Sequence, residues 1–176
     1  MLRFSRFVLS CALALFLVLA GCDSGGSNDD LPLGNMEAEI DGSAWTATNA
    51  TANEVTAAGN RTLSISGTRI DGGTTTLNVS LTALGGGDIS PGTYDLGDDA
   101  TDNLTGTGAY AAGVGPQNTF NIPSGDTPSG TLTIDEISDE SVRGTFSFTA
   151  TNGTTGETVE VTNGSFNVEY GPAVGF

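Results

Sequence analysis

The sequence predicts an all-β domain, an antiparallel β-sandwich or barrel of about nine strands. Three observations carry that expectation. Apolar and polar residues alternate with a period of two in one run after another, the pattern of strands with one buried and one wet face. No window beyond residue 35 spaces its apolar residues for a helix. Gly, Asn and Asp punctuate the runs at turn positions, and Thr, Ser and Gly are abundant, which suits strands and tight turns rather than helices.

The runs follow in order. Met36, Ala38 and Ile40 alternate with Glu37, Glu39 and Asp41; Asp41-Gly42 then turns the chain into Trp45-Thr46-Ala47-Thr48, a hairpin signal. Leu63 and Ile65 alternate with Thr62, Ser64 and Ser66. Leu77, Val79, Leu81 and Ala83 define a longer strand, and 93–96 a short one after Pro91-Gly92. Leu132 and Ile134 begin another. Val142, Phe146, Phe148 and Ala150 form the next, ending at Asn152-Gly153. Val159 and Val161 precede Asn163-Gly164, read as a tight turn, and Phe166, Val168 and Tyr170 close the domain. Trp45, Phe146, Phe148 and Phe166 each carry a large apolar area and are expected in the core. For Trp45, stacking on a sugar is the alternative.

Residues 97–115 break the pattern. The stretch is rich in Gly and Asp and alternates little, so it reads as a long irregular loop. Around its start, Asp95, Asp98, Asp99, Asp102 and Asn103 crowd one Gly-flanked stretch and offer the oxygen ligands that Ca²⁺ takes, although the spacing is not that of an EF-hand. A solvated acidic loop is the alternative. Tyr94 and Tyr110, with Phe120, lie in or near loops and form either a sugar-stacking platform or a cap on the sheet edge.

The first 22 residues have a different character. Arg3 and Arg6 give a positive start, residues 7–19 are almost wholly apolar, and Leu19-Ala20-Gly21-Cys22 follows. These are the parts of a secretory signal peptide, and the apolar run falls short of the ~20 residues a membrane span needs. The final tetrapeptide resembles the lipobox of bacterial lipoproteins. The resemblance implies cleavage between Gly21 and Cys22, and acyl chains on Cys22. One chain anchors only marginally at ~0.8 kcal/mol per buried CH₂, so several on one residue are needed to hold the protein. The expected organisation is a signal peptide (1–21), a lipidated Cys and flexible tether (22–35), an all-β domain (36–171) and a short C-terminal tail (172–176). The residues 23–35, DSGGSNDDLPLGN, extend to at most about 45 Å. The expected address is the cell envelope, most simply the outer membrane. The acids after Cys22 resemble a surface-export signal in one bacterial group and an inner-membrane retention signal in another, so the face stays open.

Composition narrows the chemistry. The chain has 5 basic residues, 21 acids and no His, and all five bases are Arg. Without Arg3 and Arg6, three arginines face 21 acids, a formal charge of −18. That charge opposes nucleic acid, whose binders carry basic patches. A Lys-free acidic chain is similar to proteins of salt-loving bacteria, where a short Debye length screens self-repulsion. Cys11 leaves with the signal and Cys22 carries lipid, so no intramolecular disulfide is expected. Ser–His–Asp and Cys–His devices, zinc and copper sites of the usual ligands, and Lys nucleophiles have no residues to build them. No cofactor is implied. Paired carboxylates of a hydrolase remain the one enzymatic alternative.

Two parts of the domain also look familiar. Ala38-Glu39-Ile40-Asp41-Gly42 with Trp45 lies near the start, and GTFSFTA (144–150) and TNGSFNV (162–168) near the end. Together they resemble an uncharacterised family of small β-rich secreted lipoproteins of Bacteroidota. The resemblance implies a β-rich envelope lipoprotein and no activity. The function expected is non-enzymatic: a lipid-anchored envelope domain for binding, adhesion or structure, with a membrane as partner and a protein or glycan as possible second partner. A carbohydrate-binding module, Ca²⁺-assisted or not, is the alternative.

Overall fold

Alternation along the chain becomes a sheet with one dry face. The computed structural model describes residues 31–97, 103–125 and 128–171. Among the described residues, eleven strands run in chain order: β1 (Asn35–Ile40), β2 (Ser43–Thr46), β3 (Asn49–Ala57), β4 (Asn60–Ile70), β5 (Thr74–Ala83), β6 (Gly92–Leu96), β7 (Leu104–Ala111), β8 (Thr119–Asn121), β9 (Gly130–Ile137), β10 (Ser141–Thr151) and β11 (Thr158–Glu169). They form one sheet in the order β2-β1-β11-β10-β9-β6-β7-β5-β4-β3, with β8 bridging β7 and β10. β6 and β8 fill opposite ends of one gap: Leu96 of β6 pairs with Gly106, while β8 pairs Asn121 with both Ala109 and Thr151.

Of the two expected architectures, the chain adopts the barrel. Only Ala47 and Thr48 separate β2 from β3. β2 pairs with β1 and β3 with β4, so this bent run joins the two ends of the path. The inward positions change step at the bend, from Trp45 and Ala47 to Ala50 and Ala52. A second seam closes where β3 meets the end of β11: Ala52 bridges Tyr170 in parallel, and the Gly171 N–H donates to the Ala52 carbonyl at 2.7 Å.

The interior is one apolar cluster. Trp45, Phe146, Phe148 and Phe166 are all inside it, which makes Trp45 a core residue. Its indole N–H donates to Thr75 Oγ1 at 2.8 Å, the partner that a buried Trp needs. Burying each large apolar side chain contributes about 1.5–3 kcal/mol. Two phenylalanines lie over glycines of the facing strand. Gly144 pairs with Phe166, and Phe146 pairs with Gly164. A Cβ on Gly164 would stand 2.5 Å from the Phe146 ring, so that site has no room for a side chain. Outside, the strands carry hydroxyls that pair across the sheet, such as Thr62 with Thr82 at 3.0 Å and Ser80 with Thr107 at 2.8 Å.

Two sequence expectations need correction. Residues 97–115 are not wholly a loop, because β7 runs through them. Two of its inward positions are Gly106 and Gly108, which hid the alternation. A Cβ at Gly106 would meet the Asp95 carbonyl at 2.4 Å, so close strand approach demands glycine there. Nor is Asn163-Gly164 a turn. β11 continues through it, and its register against both β1 and β10 slips by one residue at this point, which is a β-bulge. The segments holding Val161 and Phe166 are thus one strand. β3, β7 and β8 account for the rise from about nine strands to eleven.

Candidate functional site

The bulge shapes the outer surface. Where β11 carries its extra residue, Asn163 takes a positive φ of 50° and turns outward. Around it, the outer face of β2, β1, β11, β10 and β9 forms a hollow of about 460 Å³. That volume lies within the range of small-ligand sites. Alternation fixes which side chains reach it. Glu37 and Glu39 of β1 are the acidic wall. Thr145 and Ser147 of β10, with Thr131 of β9, are the hydroxyl wall. Asn163 and Ser165 of β11 stand between them.

Hydrogen bonds hold the acidic wall. Asn163 Nδ2 donates to Glu39 Oε2 at 3.1 Å. Ser165 Oγ donates to Glu37 Oε1 at 3.4 Å, the long end of the range. Ser165 points to the outer face and yet is only 7% exposed, so the hollow is recessed rather than flat. Thr131 and Ser147 hydroxyls sit 3.5 Å apart on the opposite wall. No basic residue lines the hollow. The arginines among the described residues are engaged elsewhere: Arg61 with Glu54 and Asp88, Arg69 with Asp71, Arg143 with Glu136. The hollow therefore presents hydroxyls, an amide and two carboxylates. Such a set complements a ligand with several hydroxyls or a positive charge, and it repels anions.

The residues singled out from sequence lie elsewhere. Tyr94, on β6, donates its hydroxyl to the Ser90 carbonyl and packs on the core. Tyr110, on β7, packs on the core and stacks obliquely on Phe120 with ring centres 6.2 Å apart. Burial raises its pKa, with Arg69 opposing that shift and Asp41 adding to it. The β6–β7 register puts Tyr94 level with Leu104, six residues from Tyr110, or about 20 Å along the strands. The structure does not bring the two tyrosines together. Asp95 sits exposed on β6. Asn103 precedes β7 with φ 64°, and its carbonyl accepts from the Leu84 N–H at 2.7 Å. Asp98, Asp99 and Asp102 lie outside the described residues, as do Gly21 and Cys22. Among the described residues, no three acidic, His or Cys side chains cluster as a metal site.

The hollow itself was not anticipated. Its one sequence signal is Asn163-Gly164, whose positive φ was read as a hairpin. The hydroxyls and glutamates looked like any solvent face.

A family model described as Domain of unknown function (DUF6252) matches residues 34–168. The chain belongs to that family. No curated protein and no solved structure matches it.

Proposed function

We propose that this DUF6252 protein is a non-enzymatic module of the bacterial cell envelope, tethered to a membrane through lipid on Cys22. The observation that carries this reading is the Leu19-Ala20-Gly21-Cys22 run at the end of a positive-then-apolar leader. A barrel whose first strand starts at Asn35 fits a short tether. Asn167 Nδ2 donates to the Leu31 carbonyl at 2.8 Å, so residues from 31 onward are already fastened to β11. The test is detergent-phase partitioning of the full-length protein in a bacterial host. The parent chain is expected in the detergent phase and Cys22→Ser in the aqueous phase. Retention of Cys22→Ser with the detergent would overturn the anchor.

A second reading concerns what the module binds, and the hollow favours it. Hydroxyls on one wall, Glu37 and Glu39 on the other and Asn163 between them suit a neutral polyol such as a glycan segment. No aromatic face is exposed for stacking there, since Trp45 and Phe146 are buried. Affinity would rest on hydrogen bonds and would be modest. A glycan array probed with the domain is expected to show binding that Glu37→Gln with Ser147→Ala abolishes. An array silent to the parent domain would retire this reading. The acidic, Lys-free composition supports a reading of salt-rich surroundings: its melting temperature is expected to rise with added NaCl, and a flat or falling series would count against that habitat.

A further inference from the structure

We infer that the hollow takes a glycan whose sugar carries a free, protonated amine, held between Glu37 and Glu39; this rests on the glycan reading of the hollow and names its class. The site is the recess itself, about 460 Å³ with a hydroxyl wall, an amide and the nearly buried Ser165, and the two carboxylates decide what enters it. Register sets its width. Thr145 pairs with Ser165 and Ser165 with Glu37, so the hydroxyl and acidic walls stand two strand spacings apart, roughly 10 Å between backbones. Ser165 lies midway along that row, only 7% exposed, and forms the floor. A single sugar ring with its substituents spans such a gap.

Counting donors and acceptors selects the amine. Glu39 Oε2 accepts from Asn163 and Glu37 Oε1 from Ser165, which leaves Glu39 Oε1 and Glu37 Oε2 without a donor among the described residues. The two glutamates lie two residues apart on the same face of β1, about 7 Å along the strand. No basic residue lines the hollow, so their charges stand unbalanced. A sugar with hydroxyls alone supplies donors and leaves that charge in place. A protonated amine supplies three donors, no acceptor and the missing positive charge. Its hydrogen bonds to carboxylates are about twice as strong as neutral ones. An N-acetylated amine keeps one N–H and brings a carbonyl oxygen towards two carboxylates, which repel it. A uronic acid is opposed by charge alone. Lysine carries the same ammonium, but its apolar stem offers nothing to Thr131, Thr145 and Ser147 on the opposite wall. The ring hydroxyls of an amino sugar do.

Titration calorimetry on the full-length protein in detergent tests this, with a glucosamine oligomer, its N-acetylated counterpart and an oligolysine of equal length as probes. The glucosamine oligomer is expected to bind at least about tenfold more tightly than the N-acetylated one. Glu37→Gln and Glu39→Gln, both outward substitutions that leave the core intact, should each shrink that ratio. Ser147→Ala should weaken both sugars alike and leave the ratio standing. Equal affinity for the two sugars in the parent, or a ratio that survives both Glu→Gln changes, overturns the inference while the glycan reading stands. Binding of neither sugar overturns it as well, and the glycan array then decides the broader reading separately. Oligolysine bound as tightly as the amino sugar overturns it in favour of a basic peptide.

Discussion

Two dipeptides of one chemical type have opposite fates in this barrel. Asp41-Gly42 reverses the chain, with positive φ at both residues, 48° and 74°. Asn163-Gly164 leaves the chain running straight, with positive φ at Asn163 only, where it inserts one extra residue into β11. Their glycines serve different needs. Nothing lies within 4 Å of a Cβ at Gly42, so that glycine is there for its backbone angle. At Gly164 the Phe146 ring occupies the space, so that glycine is there for room. An Asx-Gly pair thus reports a left-handed residue. Whether it makes a turn or a bulge depends on what the flanking strands pair with.

The comparison can be broken by substitution. Gly164→Ala is expected to have the largest effect, about 3 kcal/mol from forcing the Phe146 ring aside, or roughly 6–12 °C in melting temperature. Combining it with Phe146→Leu should recover part of that loss, and a double-mutant cycle would show the coupling. Gly42→Ala meets only backbone strain, about 1 kcal/mol. An equal cost at the two glycines would erase the distinction. Smaller still is Asn163→Asp, which replaces the donor to Glu39 by a like charge. Its cost should stay below about 1 kcal/mol and shrink as salt is added. A salt-independent loss would mean that the bulge geometry, not charge, had changed.

A pH experiment sharpens the same comparison, since Asp41 lies near enough to act on Tyr110. Burial is the main cause that raises the pKa of Tyr110, and of Tyr170 near the far end of the barrel. A raised folded-state pKa favours the neutral phenol. That stabilisation is fully present below the unfolded pKa of about 10 and is lost as pH climbs through the folded value. Stability should therefore fall in the alkaline range, less steeply in Tyr110→Phe. A pH profile unchanged by that substitution would remove Tyr110 as a contributor.

These contrasts explain what could be read from the chain in advance. β10 was legible because Val142, Phe146, Phe148 and Ala150 mark every inward position but Gly144. β7 was not, because its most buried positions are Gly106 and Gly108, and β3 was not, because its inward residues are Ala50 and Ala52. Period-two patterning detects strands through apolar bulk, and a barrel needs small residues wherever strands come close. The hollow was illegible for a related reason. Thr145, Ser147 and Glu37 are ordinary outward residues, and the hollow they line surrounds register slips, at Asn163 in β11 and between β9 and β10, that no alternation pattern reveals.

The central claim concerns the other end of the chain, where Cys22 would tie this barrel to a membrane. Intact-mass and N-terminal peptide analysis of the protein purified from bacterial membranes tests it most directly. The account predicts a chain that begins at Cys22, lacks residues 1–21 and carries the added mass of acyl chains on that residue. A mature chain with an unmodified Cys22, or one cut at another position, would contradict it.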